Sequence, residues 1–136
     1  MIKNIFKTAF VVILFLSLSS VAFAQSTKDR WRCQHVVKGL KLDKELSAKF
    51  SPVFYAYLKD LHQAGDLYDN MKDKYKTQID KHQLTLEQAQ QLLDAHWNSD
   101  AKQVQVKQKY TQLFSKIIKL PYVYYAFKLS NDKAPK

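Results

Sequence analysis

Residues 44–75 read KELSAKFSPVFYAYLKDLHQAGDLYDNMKDKY, and this stretch decides the fold class. Its apolar side chains recur with a mean spacing of about 3.6 residues, which is the period of an α-helix. They are Leu46, Phe50, Val53, Tyr57, Leu61, Ala64, Tyr68, Met71 and Tyr75. Phe54 and Leu58 widen the stripe, as expected of a helix that packs against a core. The stretch therefore predicts one long amphipathic helix.

Two residues interrupt this helical pattern. Pro52 has no amide hydrogen to donate to the carbonyl of Ala48, so we expect a bend or a local break there. Gly65 is a weak helix former, and we expect it to mark the close approach of another helix. Neither residue is predicted to end the helix.

The clearest local signal lies at residues 84–89, which read LTLEQA. The Thr85 side chain is predicted to accept a hydrogen bond from the amide of Gln88, and the Gln88 side chain one from the amide of Thr85. This reciprocal pattern is a capping box, so a second long helix should begin at residue 85 or 86. Asp43 is the predicted N-cap of the first long helix.

These signals together predict an all-α fold of four helices. Two helices of about 35 residues form a long antiparallel hairpin. Short helices flank the hairpin, over residues 27–38 and from Pro121 to about Ser130. Two glycines and three prolines are too few for the many turns of a sheet protein. Because so thin a hairpin leaves apolar side chains uncovered, we expect it to pair with a second copy or present an open groove.

Residues 1–24 are predicted to be a cleaved signal peptide. Lys3 and Lys7 precede a short apolar run, and Ala22-Phe23-Ala24 offers small residues at the cleavage positions. An uncleaved membrane anchor is the alternative, which the shortness of the apolar run disfavours. Residues 25–136 would then form a single all-helical domain, exported to a periplasm.

Cys33 is the only cysteine, so no disulfide can form within the chain. In an oxidising compartment a lone cysteine is either a buried thiol or a link to another chain. We expect the buried thiol, because free cysteine packs as a small apolar residue.

Positive charge is concentrated in the last third of the chain. Residues 25–100 hold 12 basic and 11 acidic residues, a net +1, whereas residues 101–136 hold eight lysines against Asp132, a net +7. A surface with charges of one sign attracts acidic molecules, and aromatic rings beside it can then bind the apolar segments of those molecules. The candidate client-binding residues are Lys102, Lys107, Lys109, Tyr110, Phe114, Lys116, Lys119, Tyr122, Tyr125 and Lys128.

Two interpretations of this basic, aromatic segment stay open. In one, the aromatic side chains pack the end of the hairpin and the lysines are merely solvated. In the other, both kinds of residue form a binding surface. Nucleic acid would also suit such a surface, but the predicted export argues against it.

The sequence carries no pattern typical of an enzyme. It has no Gly-rich phosphate loop, no Ser/His/Asp pattern and no Cys-x-x-Cys pair. The histidines at positions 35, 62, 82 and 96 show no i, i+3 or i, i+4 pairing, which metal ligands on a helix would need. We expect no catalysis, no cofactor and no metal.

Leu84-Thr85-Leu86-Glu87-Gln88 matches the Leu-Thr-x-x-Gln motif, and the chain resembles the Spy/CpxP family of periplasmic stress proteins. Residues 42–46, LDKEL, look like a degenerate copy without the threonine and glutamine. Residues 49–55 and 107–114 are similar to divergent members, so the resemblance covers about residues 40–128. The structural motif residues are Leu84, Thr85, Gln88 and Asp43.

The resemblance implies a cradle-like helical homodimer that binds unfolded or acidic proteins without ATP. Nucleic acid is not an expected partner; a membrane surface is a conceivable but unexpected one. Two alternatives stay open: a metal-responsive envelope regulator, or a structural protein that binds an acidic partner or anionic lipid.

Overall fold

The computed structural model describes residues 26–136, which form five helices and no strand. The helices are α1 (Thr27–Gly39), α2 (Lys44–Lys74), α3 (Lys76–Asp80), α4 (Leu86–Ser115) and α5 (Leu120–Ser130). The prediction of an all-α fold is therefore confirmed for this part of the chain. The predicted signal peptide, residues 1–24, lies outside the described residues. Among residues 26–136, no helix has the length and apolarity needed to cross a membrane.

The helix count differs from the predicted four. Tyr75 leaves the helical conformation, with φ −104° and ψ 17°, and this separates the short α3 from α2. The long helices α2 and α4 accordingly have 31 and 30 residues. Helix α2 continues through Pro52, so the local break that was one expectation there does not occur. Phe50 and Phe54 are both fully buried on either side of Pro52, and their packing offsets the lost hydrogen bond.

Both predicted helix starts are confirmed by their hydrogen bonds. The Asp43 carboxylate accepts from the amide of Leu46 at 2.8 Å. The amide of Gln88 donates to Thr85 Oγ1 and the amide of Thr85 donates to Gln88 Oε1, both at 3.1 Å. This is the complete capping box, which satisfies two amides that would otherwise lack a helical partner.

The described chain divides into two compact units, and α2 and α4 contribute residues to both. Unit 1 contains residues 26–56 and 113–136, and unit 2 contains residues 57–112. The predicted single domain stays a prediction.

Unit 1 is built around four phenylalanines. The Phe114 ring centroid lies 5.0 Å from that of Phe50, 6.2 Å from that of Phe54 and 5.8 Å from that of Phe127. This cluster joins residues of α2, α4 and α5. Cys33 on α1 is also buried, as predicted, and burial raises the pKa of its thiol.

Unit 2 is an antiparallel pairing of parts of α2 and α4. Two hydrogen bonds join α4 to α2, from Tyr110 to Asp60 at 2.7 Å and from Ser99 to the carbonyl of Ala64 at 2.9 Å. Tyr75, directly after α2, donates to Gln91 at 2.7 Å. Partner numbers on α4 fall as those on α2 rise, so the two segments run in opposite directions. Gly65 lies at the close approach predicted for it, since a Cβ there would be 3.3 Å from Gln103 Nε2.

The capping box gives a first prediction. Thr85→Ala removes the acceptor for the Gln88 amide and should lower the free energy of unfolding by about 1 kcal/mol. Thr111→Ala is the matched control, because its hydroxyl donates to the carbonyl of Lys107 inside α4, where alanine is the better helix former. It should leave stability unchanged or raise it. Urea unfolding checks both; equal losses in the two variants would contradict the capping role.

Two tyrosines predict a loss of stability in alkali. Burial, with Cys33 close by, raises the pKa of Tyr55 to about 12. Burial and the hydrogen bond to Asp60 raise the pKa of Tyr110 above its usual range. Since both pKa values are raised in the folded state, the stabilisation is complete below the unfolded-state value of about 10 and is lost as the pH rises above it.

Tyr110→Phe tests this account, with Tyr124→Phe, at an exposed position, as its control. At neutral pH, Tyr110→Phe should lower the free energy of unfolding by about 1 kcal/mol, because the hydrogen bond to Asp60 is lost. Above a pH of about 10, its stability should fall less steeply than that of the wild type, because one of the two tyrosines is gone. The control should follow the wild type at every pH. Thermal unfolding as a function of pH provides the measurement, and identical curves for the two variants would contradict it.

Candidate functional site

The excess positive charge belongs to unit 1. Within the described residues, unit 1 holds 12 basic and four acidic residues, a net +8. Unit 2 holds eight of each, a net charge of zero. The sequence pattern located the charge in residues 101–136 alone. Folding brings the basic residues of α1 into one unit with the five lysines of residues 113–136, and leaves Lys102, Lys107 and Lys109 in the neutral unit.

Two of the predicted client-binding residues are buried and require a correction. Tyr110 packs on Tyr57 with ring centroids 5.4 Å apart, and Phe114 belongs to the phenylalanine cluster. Both therefore serve the cores of their units, because they lie on the apolar stripe of α4 that faces α2. The other eight predicted residues are exposed.

Two of the predicted lysines of unit 2, Lys102 and Lys109, lie beside acidic or polar groups. Lys109 Nζ is 3.7 Å from Asp60 Oδ2, the same oxygen that accepts from Tyr110. Lys102 and Lys109 line a shallow groove together with Asp60, two glutamines, Ala64 and Val106. A surface with balanced charges gives little long-range attraction for an acidic partner.

Helix α5 presents the aromatic part of the site. Val123 and Ala126 are buried in unit 1, whereas Tyr122, Tyr124 and Tyr125 are 45%, 65% and 51% exposed. Leu120 is also exposed at the start of the helix. The flanking lysines Lys116, Lys119 and Lys128 are exposed too. This part of unit 1, residues 116–128 with the grooves described next, is called the lysine–tyrosine face.

Two grooves adjoin α5 within unit 1. The larger has a volume of about 600 Å³ and is lined by Gly39, Leu40, Lys41, Tyr122, Tyr125, Lys128, Leu129 and Asp132. The smaller has a volume of about 300 Å³ and includes Leu42, Leu46, Ile117 and Lys119 in its lining. Leu40, Lys41 and Tyr122 line both grooves. Volumes of this size are typical of small ligand sites.

The end of α1 is held against α5 by polar contacts and by close packing. The Arg32 guanidinium donates to the carbonyl of Ser130, and His35 Nε2 lies 2.7 Å from Asp132 Oδ2. A Cβ at Gly39 would lie 2.6 Å from Leu129 Cδ1, so glycine permits this approach. Gly39 is the last residue of α1 and has a negative φ, and Lys41 makes the turn.

Lys41 has an unusual backbone conformation. Its φ is +54°, the left-handed region that a non-glycine residue enters at a cost of about 1–2 kcal/mol. The amide of Leu42 donates to the carbonyl of Val37 at 3.2 Å and that of Lys41 to the carbonyl of Lys38 at 3.1 Å. These bonds define a Schellman motif, in which glycine is the usual residue at this position.

Lys41, Leu40 and Tyr124 were not among the predicted site residues. The net charge of +1 over residues 25–100 hides the basic cluster of α1, because the acidic residues of unit 2 cancel it. A charge count over residues 26–56 alone would have indicated it. In residues 26–136, no group of three or more histidine, cysteine, aspartate or glutamate side chains is placed to hold a metal ion.

Comparison of the chain with protein-family models, curated proteins and solved structures finds no match. The resemblance to the Spy/CpxP family therefore stays a prediction.

Proposed function

We propose that this protein is an exported, non-catalytic binding protein that holds unfolded or acidic polypeptide clients without ATP, as a chaperone of the periplasm. One observation carries the proposal: the net charge of +8 and the three exposed tyrosines of α5 lie in the same unit, unit 1. The lysines attract an acidic chain, and the half-exposed rings then bury its apolar side chains.

The expected affinity is modest. Burying about 100 Å² more of each tyrosine ring would stabilise a complex by about 2.5 kcal/mol per ring. Ordering a previously unfolded client offsets much of this gain. The three rings supply about 7.5 kcal/mol before this cost, so dissociation constants weaker than about micromolar follow from them, and binding is reversible without an energy source. Such affinities suit a protein that must release its client for folding.

Two equal charge reductions test the location of the site. Lys119→Gln with Lys128→Gln removes two lysines of unit 1, and Lys102→Gln with Lys107→Gln removes two of unit 2. Since an ion pair in water is worth about 1 kcal/mol, the first pair should weaken client protection several-fold. The second pair should change it little. The measurement is light scattering of an aggregating acidic client, with the protein lacking residues 1–24 added at low and moderate salt.

Suppression that weakens with salt and with the unit 1 substitutions is the expected result. Failure of the folded wild type to protect any of several unrelated clients would contradict the function. Equal effects of the two pairs would contradict its location.

We also propose that α2 and α4 form an antiparallel hairpin throughout and that two copies pair as a homodimer. The antiparallel pairing in unit 2 supports the first part. For the second, Leu93, Trp97 and Val104 form an exposed apolar stripe on α4, with Trp97 60% exposed. Exposed apolar stripes of this kind commonly mark interfaces.

Trp97→Ser tests the dimer. It should raise the dimer dissociation constant by about tenfold or more, because a tryptophan anchor contributes strongly to an interface. Leu67→Ser removes an exposed leucine of the same unit from outside the stripe and should leave the dimer intact. Light scattering after size-exclusion chromatography gives the masses; a monomeric wild type would contradict the pairing.

A further inference from the structure

Lys41 stands where the two grooves of unit 1 meet. It lines both of them, together with Leu40 and Tyr122. Its left-handed backbone would be relieved by glycine, the usual residue of a Schellman motif. His82 has the same φ, so it is the place of Lys41 at the junction of two grooves, and not its backbone conformation, that points to a use for its side chain.

The charges around this junction leave room for an anion. Lys128 and Asp132 line the larger groove, and Lys119 and Asp43 line the smaller. Asp132 lies 2.7 Å from His35, and Asp43 accepts from the amide of Leu46, but both carboxylates keep their charge, so three lysines and two aspartates give the two linings a net +1. Within residues 26–136, no carboxylate lies within ion-pair distance of Lys41. The junction is therefore a positive point between two partly apolar grooves.

We propose that Lys41 anchors a subsite for one carboxylate of an acidic polypeptide segment, whose apolar side chains on either side occupy the two grooves. The proposal rests on the proposed function and specifies the client as a segment with an acidic residue between apolar ones. Lys41 supplies a charge-assisted hydrogen bond to the carboxylate, and Tyr122 contacts the chain on both sides of it.

A polypeptide fits this place better than an anionic bilayer does. The grooves are concave, and a side chain can enter them, whereas a flat lipid surface would meet the outermost rings first. Tyr124, the most exposed tyrosine of α5, lines neither groove, while Tyr122 lines both. The net +8 of unit 1 complements an acidic segment.

Lys41→Gly separates a binding role from a structural one. It should raise the midpoint of urea unfolding, because the left-handed strain is removed. It should also raise the dissociation constant by about tenfold, because the charged hydrogen bond is lost. The probe is a fluorescein-labelled peptide with an aspartate between two phenylalanines, followed by fluorescence anisotropy. Lys41→Arg keeps the charge and should bind within about twofold of the wild type.

His82→Gly is the matched control. His82 has the same φ of +54° at the end of α3, and the amide of Gln83 donates to the carbonyl of Gln78 at 2.8 Å. The substitution should raise the unfolding midpoint as well. Because His82 lies in unit 2, the substitution should leave the peptide affinity unchanged.

A peptide with asparagine in place of the aspartate should bind the wild type about tenfold more weakly.

The outcomes distinguish the subsite from the function. Unchanged affinity in Lys41→Gly, with wild-type binding intact, would overturn the subsite and leave the client-binding function standing. A lower unfolding midpoint in Lys41→Gly would also overturn it, since the lysine would then serve the fold. If the wild type fails to bind the peptide but binds phosphatidylglycerol vesicles, the lysine–tyrosine face is a lipid-binding surface. That result would overturn both proposals.

Discussion

The packing of Phe114 against Phe50, Phe54 and Phe127 is the interaction on which the rest of unit 1 depends. An 11-residue helix such as α5 is too short to be stable alone in water. Its contact with the cluster through Phe127, and its buried Val123, supply the missing stabilisation. The opposite side of α5 can then expose three tyrosines, and Arg32 and His35 hold the end of α1 beside it. The grooves are a consequence of that packing.

The partition of charge follows from the same arrangement. Helix α1 and residues 116–136 come from opposite ends of the described chain, and both are basic. Bringing them into one unit concentrates a net +8 there, while the alternating lysines and acids of the intervening segment leave unit 2 neutral. In unit 2, buried apolar side chains such as Tyr57, Leu58 and Leu92 form the core, and tyrosine hydrogen bonds join the paired segments. The chain thus separates a neutral paired-helix segment from a charged, aromatic one.

Much of this fold can be predicted from sequence because its signals are local. Apolar periodicity gives the long helices, and Asp43 and Thr85 give their starts through hydrogen bonds that span three residues. The break at Tyr75 has no comparable local signal. The candidate site was harder to predict from sequence, because the burial of each side chain depends on the helix that packs against it. Tyr110 and Phe114 look like the exposed aromatics in composition, and only their position opposite α2 distinguishes them. Lys41 was missed because its importance comes from α5, about 80 residues away in sequence.

The central claim is that clients bind to unit 1 and not to unit 2. Amide proton–nitrogen correlation spectra of the labelled protein, recorded during titration with an unfolded acidic client, test it most directly. If clients bind to unit 1, the signals of residues 38–46 and 117–132 should shift or broaden, and the signals of residues 57–112 should stay in place. Changes concentrated in residues 57–112 would contradict it, and would transfer the client site to the neutral paired helices.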